Sequence, residues 1–201
     1  MGDFMAKQYT KNLIKKEFIK LLEERSFNSI TISMLAERCE INRNTFYYHY
    51  DDIYSLVKEI LSDEIERVDK EFNSTASWEK SLISASSFFL DNKTAAQNLF
   101  MSIDKKDTDL YLYKICESVM TMYVENECLT KNIKAKEEDK ALVIDFYRAA
   151  LVGLLEKWIL DGMEKSPDDF IYRVGKLFDG NIERSLRISE KLNKEDPFSN
   201  N

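Results

Sequence analysis

Glycine and proline are scarce in this sequence, with five glycines and two prolines among 201 residues. Sheet proteins need a turn after every short strand, and turns draw heavily on these two residue types. The scarcity argues against a turn-dense all-β protein and excludes collagen-like and linker-like chains. Because 44% of the residues are hydrophobic, there is enough apolar material for a buried core. We expect an all-α fold.

Residues that usually carry catalysis or bind metals are also few. The one histidine is His49, which leaves out most zinc sites and most histidine-based catalysis. The glycines stand singly, so there is no glycine-rich loop to bind a phosphate. The three cysteines, Cys39, Cys116 and Cys128, lie far apart in apolar helical patterns, as buried thiols in a reducing cytosol do. We expect no enzymatic activity, no metal and no cofactor.

Long hydrophobic runs are missing as well. No segment approaches the roughly 18 apolar residues that a membrane span needs. The segment Met1-Gly2-Asp3-Phe4 has neither the basic region nor the apolar region of a signal peptide. We therefore expect a soluble, cytoplasmic protein.

Acidic residues predominate, with 36 against 29 basic residues and a formal net charge of -7. The average hides a difference along the chain. Residues 1–50 hold eight basic and six acidic side chains, so this segment is about +2 and the remainder about -9. A phosphate-binding head on an acidic body is compatible with this division.

Hydrophobic residues recur with helical spacing through most of the chain. In a first helix, predicted over 9–25, Ile14, Phe18 and Leu21 share one face, and Thr10 is a candidate N-cap. Further helices are predicted at about 33–39, 43–49, 52–72, 76–90, 93–102 and 107–128. The last two are predicted over about 138–163, a helix that is apolar over most of its circumference, and over 168–187, after Pro167.

The segment 31–50 has the features of a helix-turn-helix. Two short helices that meet at a steep angle need a small residue where the second crosses the first, and Ala36 supplies it. Apolar side chains close the corner, namely Leu35, Cys39, Ile41 and Phe46. Asn42 is placed to cap the second helix by accepting a hydrogen bond from the backbone N–H of Asn44 or Thr45. A helix-turn-helix presents that end of its second helix to the DNA major groove.

The side chains near this end are suited to DNA. Arginine bonds guanine through two hydrogen bonds, asparagine does the same with adenine, and a threonine methyl or tyrosine ring contacts the thymine methyl. Base contacts are therefore expected from this set: Arg43, Asn44, Thr45, Tyr47 and Tyr48. Phosphate contacts suit the side chains of Thr31, Ser33, Tyr48 and His49.

A second interpretation makes the aromatic residues of this segment part of the core. We favour it for Phe46 and Tyr50. It cannot hold for both Tyr47 and Tyr48, because consecutive helical residues do not face one core.

At these residues the chain resembles the TetR family of bacterial one-component regulators. The resemblance covers about residues 9–60 and rests on a lead helix, Ile30-Thr31-Ile32, Ala36-Glu37, the run from Asn42 to Tyr50, and a long helix. That run, followed by Asp52-Ile53-Tyr54, resembles more narrowly the subgroup containing the activator of dihydroxyacetone kinase operons, and the segment from Phe146 to Met163 agrees with it. The resemblance implies a helix-turn-helix DNA-binding domain at 1–52 and a helical regulatory and dimerisation domain at 53–201.

The resemblance further implies a sequence-specific transcriptional regulator that binds a palindromic operator as a homodimer. Its effector, a small molecule or a protein, would act on the middle helices. The residues independently favour a dimer through about 141–160 and 168–187, because these helices carry more apolar surface than a small domain can easily cover. Gly153 would let two such helices approach closely, and we expect Leu151 and Leu155 in the interface. The alternative is a buried central helix of a monomer.

Seven aromatic residues are candidates for lining an effector cavity, although aromatic residues at helical spacing more often form a core. They are Trp78, Phe88, Phe89, Phe100, Tyr111, Tyr113 and Tyr123.

Two positions depart from the family pattern. Glu40 stands where the family usually has glycine in the turn, and a left-handed backbone there would cost about 1 kcal/mol. Ile53, beside Asp51 and Asp52, replaces a basic residue that contacts phosphate in some members. The acidic pair motivates a second hypothesis, an all-α protein-interaction module with a degenerate DNA-binding head that signals through a partner protein.

Overall fold

The computed structural model describes residues 2–75, 77–102 and 105–195, in which every regular element is helical and there is no strand. In chain order the helices are α1 (Gly2–Glu24), α2 (Ile32–Arg38), α3 (Arg43–His49), α4 (Ile53–Thr75), α5 (Trp78–Asp91), α6 (Lys93–Phe100), α7 (Lys105–Thr130), α8 (Glu137–Leu160), α9 (Pro167–Leu177) and α10 (Asn181–Glu195). A 3-10 turn, Phe27–Ser29, lies between α1 and α2. The predicted all-α class is confirmed.

The predicted start of the first helix is wrong. α1 begins at Gly2, and Thr10 lies inside it. The Thr10 hydroxyl donates a hydrogen bond to the carbonyl of Ala6, one turn earlier, at 3.1 Å. Threonine makes this bond inside helices as well as capping them, so the residue type alone does not mark a helix start.

The single helix predicted over 168–187 is also wrong. α9 ends at Leu177 and α10 begins at Asn181. Between them Gly180 has a φ of 72°, a left-handed conformation that glycine adopts without steric cost. Apolar residues keep their helical spacing across this break, and for that reason the hydrophobic pattern concealed it.

The chain divides into two compact units. The first comprises Met1–Glu64 and Phe88–Thr108 and contains α1, α2, α3 and α6. Its core is a cluster of buried side chains that includes Ile14, Phe18, Leu21, Leu35, Phe46, Tyr50 and Leu56. The side-chain amide of Asn98 donates to the carbonyl of Leu22 at 2.7 Å and so ties α6 to α1.

The second unit comprises Ile65–Ser87 and Asp109–Asn201. Leu151 and Leu155, which we expected in an interface between chains, are each 4% exposed within a single chain. That expectation is wrong, because the buried side of α8 faces the core of its own unit. The indole N–H of Trp158 donates to the carbonyl of Lys165 at 2.7 Å and fixes the loop after α8.

The other side of α8 is exposed and apolar. We call the α8–α10 face the set of exposed residues Leu142, Phe146, Leu154 and Leu160 on α8 with Ile188 and Leu192 on α10. α10 packs against α8, where the Ser189 hydroxyl donates to Asp139 and accepts from the backbone N–H of Lys136. At Gly153 a Cβ would meet nothing within 4 Å, so this part of α8 has open space beside it.

The cysteines are buried and form no disulfide. Burial raises the pKa of Cys39 to about 11 and that of Cys116 to about 12, so neither thiol is a ready nucleophile at neutral pH. In the described part of the chain, no helix is long and apolar enough to span a membrane. The same residues include no cluster of metal-ligating side chains.

Candidate nucleic-acid interface

The first short helix of the helix-turn-helix is fixed at both ends. Thr31 is its N-cap, and its side chain accepts a hydrogen bond from the backbone N–H of Met34 at 3.3 Å. At the other end the N–H of Glu40 bonds the carbonyl of Glu37 at 3.1 Å, and the N–H of Ile41 bonds that of Ala36 at 2.9 Å. This pair of bonds is a Schellman motif, which ends a helix through one left-handed residue.

That left-handed residue is Glu40, whose φ is 55°. In a residue with a Cβ this conformation costs about 1 kcal/mol. The turn therefore forms at a position where glycine would fit more easily, and it is held by the two backbone bonds.

The second short helix, α3, begins as predicted. Asn42 is its N-cap, and its side-chain oxygen accepts from the backbone N–H of Thr45 at 2.8 Å and from the Thr45 hydroxyl at 3.1 Å. Phe46 is fully buried and Tyr50 nearly so, as the core interpretation predicted for these two. Their burial fixes which side of α3 faces outward.

The outward side of α3 carries the residues predicted to contact DNA. Tyr47 is 53% exposed and Tyr48 67% exposed, so both tyrosines lie outside the core. Arg43 and Asn44 are exposed, while Thr45 and His49 are half-buried. Two adjacent exposed tyrosines on the second helix of the helix-turn-helix are available for contact with a partner.

Residues from α2 reach the same surface. Arg43 donates a short hydrogen bond to the hydroxyl of Ser33. Thr31 is exposed, but its hydroxyl oxygen already caps α2. The structure thus brings Thr31 and Ser33 next to α3, and it gives each of them a local bond in addition to any contact with phosphate.

The surroundings of His49 favour its neutral form. Burial lowers the pKa of its imidazole below the ordinary value, and the positive charges of Lys11 and Lys7 lower it further. Its Nδ1 is buried without a hydrogen-bond partner in the described residues. A neutral ring donates one hydrogen bond and adds no positive charge toward DNA.

Lys7, on α1, also lies at this surface, although it was not among the residues predicted to contact DNA. Its Nζ lies 4.9 Å from the ring centre of Tyr48, within the range of a cation–π contact. α1 therefore contributes a positive charge beside α3. The sequence contains little indication of this contact, because Lys7 lies outside the helix-turn-helix segment and is one of several lysines on α1 with no distinctive pattern.

An ion-pair network holds α1 against α4 beneath this surface. Lys11 and Lys15 each approach Glu59 at 2.6 Å, and Lys15 also approaches Asp63 at 2.6 Å. Burial raises the pKa of Glu59, but hydrogen bonds from Lys11 and Lys15 outweigh this effect and bring it below its ordinary value. The network was visible in the sequence only as lysines and carboxylates four residues apart on two separate helices.

The acidic start of α4 has a structural role. The side chain of Asp52 accepts from the backbone N–H of Ser55 at 2.7 Å, and the Ser55 hydroxyl accepts from the backbone N–H of Asp52 at 3.2 Å. This reciprocal pair is a capping arrangement, which needs an acid or hydroxyl at this position. The capping role accounts for the acidic residue at position 52 and requires no contact with a partner protein.

The second unit contains a cavity of about 640 Å³, and a neighbouring cavity of about 590 Å³ shares Glu79, Gly175 and Asp179 with it. Of the seven aromatic candidates, Trp78 and Tyr123 line the larger cavity. Phe88, Phe89 and Phe100 instead border a much smaller void in the first unit. Tyr111 is buried, and the ring of Tyr113 stacks with Arg148.

Comparisons with known proteins place the chain among regulators. One family model, described as bacterial regulatory proteins of the tetR family, matches residues 19–60, and a second, described as a transcriptional regulator C-terminal region, matches residues 76–180. The HTH-type dhaKLM operon transcriptional activator DhaS of Lactococcus lactis is 19% identical over 153 residues, which is 76% of this chain and 81% of that protein. The uncharacterized HTH-type transcriptional regulator YxbF of Bacillus subtilis is 28% identical over 57 residues, which is 28% of this chain and 15% of that protein.

A solved structure shows the same fold. The dihydroxyacetone kinase operon activator DhaS superposes with a TM-score of 0.74, covering 87% of this chain and 97% of that chain at 17% identity. At this identity the likeness establishes the fold, and the residues on the surface of α3 have to be tested in this chain itself.

Proposed function

This chain belongs to the TetR family of bacterial transcriptional regulators and is a DNA-binding regulator, and from that premise we propose that two copies bind one palindromic operator. The observation that supports operator reading by α3 is the exposure of both Tyr47 and Tyr48 beside Arg43 and Asn44. These side chains are held in place by the burial of Phe46 and are free to enter a major groove.

The proposed division of labour on α3 follows from side-chain chemistry. Arg43 and Asn44 read purine edges, and Thr45 and Tyr47 contact thymine methyl groups. Ser33 positions the Arg43 guanidinium through their hydrogen bond. The side chains of Thr31, Tyr48 and His49 contact phosphates, and Lys7 adds positive charge at Tyr48.

We propose that residues 1–52 read the operator and that residues 53–201 provide dimerisation and regulation. The α8–α10 face supports the dimer, because Phe146 is 69% exposed and five further large apolar side chains of α8 and α10 are exposed with it. A two-fold axis lets this face meet the same face of a second copy. The two recognition helices then reach half-sites about 34–36 Å apart, one helical turn of DNA.

The proposal also covers catalysis and location in the cell. The matched family and relatives are regulators, and we propose that the chain catalyses no reaction. We place it in the cytoplasm, where an operator is accessible. An effector acting on residues 53–201 would control operator binding.

A selection of bound DNA from a random-sequence library tests the function, with the region upstream of the chain's own gene as the first single probe. We expect enrichment of a palindrome with half-sites one helical turn apart. The matched control is the Arg43→Ala/Tyr47→Ala double variant, which should enrich nothing above background. Absence of enrichment with the unaltered chain would overturn the proposal and favour signalling through a protein partner.

A further inference from the structure

The larger cavity in the second unit lies among five helices. Residues of α5, α7, α8, α9 and α10 line it, and its volume of about 640 Å³ falls in the range of small-molecule sites. Aromatic rings form much of its wall, namely Trp78, Tyr123, Phe146, Tyr147 and Phe178. An aromatic wall suits a ligand with an apolar body.

Three polar groups in this wall have no hydrogen-bond partner among the described residues. They are the indole N–H of Trp78 and the hydroxyls of Tyr123 and Tyr147. Trp78 is only 7% exposed, and a buried indole N–H normally finds an acceptor. These three groups are open to the cavity, where water or a ligand can pair with them.

The charge around the cavity is negative. Four carboxylates line it, those of Glu79, Glu127, Asp179 and Glu183, against a single lysine, Lys131. Lys131 pairs with Glu127 and with Glu183 at 2.7 Å each, and Glu183 also accepts from Arg187 at 2.7 Å. Two carboxylates, Glu79 and Asp179, have no cationic partner in the described residues.

The backbone of α9 is shaped around one of these carboxylates. A Cβ on Gly175 would lie 2.6 Å from Oε1 and 2.8 Å from Cγ of Glu79. Any side chain at this position would displace Glu79. Glycine here therefore lets the carboxylate lie against α9, in the wall of the cavity, where the Ser77 hydroxyl donates to its Oε2 at 2.8 Å.

The pKa of Tyr123, a residue of the cavity wall, also responds to the negative charge. Burial and, to a smaller extent, the negative charges of Glu127 and Glu79 together raise the pKa of Tyr123 to about 12. Burial disfavours a charge of either sign, and only the contribution of the two carboxylates favours a cation over an anion.

We propose that this cavity binds an organic cation with an aromatic or bulky apolar body. The carboxylates of Glu79 and Asp179 balance its charge, and the rings of Trp78 and Tyr123 contact its body and its positive centre. As a site for the effector, it rests on the regulator function proposed above. Phe146 and Leu154 belong both to the cavity wall and to the α8–α10 face, so a bound cation and a second copy would contact the same side chains.

Two ions of matched shape and opposite charge test the proposal. We would titrate the full chain with tetraphenylphosphonium and with tetraphenylborate by isothermal titration calorimetry, without DNA. The phosphonium should bind at least about tenfold more tightly than the borate, the ratio expected when one desolvated charge contact of 1.4 kcal/mol or more is gained. Equal affinity of the two ions, or no binding of the phosphonium, would overturn the proposal.

Variants locate the site. Glu79→Gln and Asp179→Asn should each weaken phosphonium binding about three- to tenfold, and Gly175→Ala should weaken it by displacing Glu79. Glu164→Gln, an exposed acid outside the cavity, is the control and should bind as the unaltered chain does. Unchanged binding by both Glu79→Gln and Asp179→Asn would contradict the assignment, provided that circular dichroism shows the variants folded.

Failure of this inference is separable from failure of the regulator function. Calorimetry reports on the cavity without DNA, while operator binding and the oligomeric state are measured without any cation. If the chain binds its operator as a dimer but does not bind the phosphonium, the proposed cation site is wrong and the proposed regulator function stands.

Discussion

The two units expose apolar surface of different chemistry. On α3 the exposed apolar residues are tyrosines, with Arg43 and Asn44 beside them and the ammonium of Lys7 over one ring. On the α8–α10 face the exposed residues are leucines, an isoleucine and a phenylalanine, which have no polar atoms in their side chains. Polar-tipped rings suit a wet, anionic partner such as DNA, whereas a purely hydrocarbon face suits another hydrocarbon face.

The largest expected effect comes from a charge on the α8–α10 face. In Phe146→Glu the two-fold axis would bury two unpaired carboxylates, which should cost about 3–5 kcal/mol of dimer stability. Sedimentation velocity should show monomers, and operator affinity should fall although Phe146 lies on a different unit from α3. Leu142→Glu, which is outside the cavity wall, should behave alike.

Leu129 provides the control for this experiment. It is one of the most exposed leucines, lies near the end of α7 and is not part of the α8–α10 face. Leu129→Glu should remain a dimer. If Phe146→Glu and Leu142→Glu both remain dimers that bind DNA tightly, the dimer interface lies elsewhere. The α8–α10 face would then not be a dimerisation surface.

The next effect tests the α3 surface. Arg43→Ala and Tyr47→Ala should each weaken binding to the selected operator by about 1–3 kcal/mol, because each removes one set of base contacts. Neither should change stability much, since both side chains are exposed. Fluorescence anisotropy measures the affinity, and circular dichroism checks the fold.

Tyr9→Ala is the matched control, because Tyr9 is an exposed tyrosine on α1. Its operator affinity should stay within twofold of that of the unaltered chain. Normal affinity in both α3 variants would contradict the assignment of α3 as the recognition helix.

The helix-turn-helix was predictable in detail because its determinants are local. A small residue at the crossing, Ala36, and a cap at Asn42 act within a few residues of each other, and the structure has both where the sequence predicted them. The orientation of α3 followed from a simple exclusion, since Tyr47 and Tyr48 could not both be buried. The structure exposes both.

Features that depend on distant parts of the chain were predicted poorly. The apolar residues of α8 gave no indication of which side meets its own unit, so Leu151 and Leu155 were assigned to the wrong surface. The break before α10 was concealed because the apolar spacing continues through it. The ion pairs of Glu59 depend on how α1 and α4 meet, which no local pattern states.

A smaller effect tests those ion pairs. Because the folded-state pKa of Glu59 lies below its ordinary value of 4.5, the stabilisation is present above that value and is lost as the pH falls through the folded pKa. Glu59→Gln should therefore cost about 1 kcal/mol at pH 7, and the cost should shrink as the pH is lowered below 4.5. Urea unfolding at pH 7 and at pH 3 measures the difference, and Glu37→Gln, at an exposed position on α2, should show no such pH dependence. An equal cost at both pH values would assign the role of Glu59 to packing.

The smallest expected effect concerns the turn between α2 and α3, and the second unit supplies its control. Glu40 has a φ of 55° and Asn132 a φ of 50°, and after each the next N–H bonds back to a carbonyl five residues earlier. Glu40→Gly should stabilise the chain by about 0.5 kcal/mol, because relief of about 1 kcal/mol of left-handed strain exceeds the added freedom of glycine in the unfolded chain. Asn132→Gly should give no gain, since asparagine tolerates this conformation. Urea midpoints of the two variants measure the contrast.

Operator affinity of Glu40→Gly should be unchanged, because Glu40 shapes the turn through its backbone. A fall in affinity would instead place the Glu40 side chain in the DNA interface.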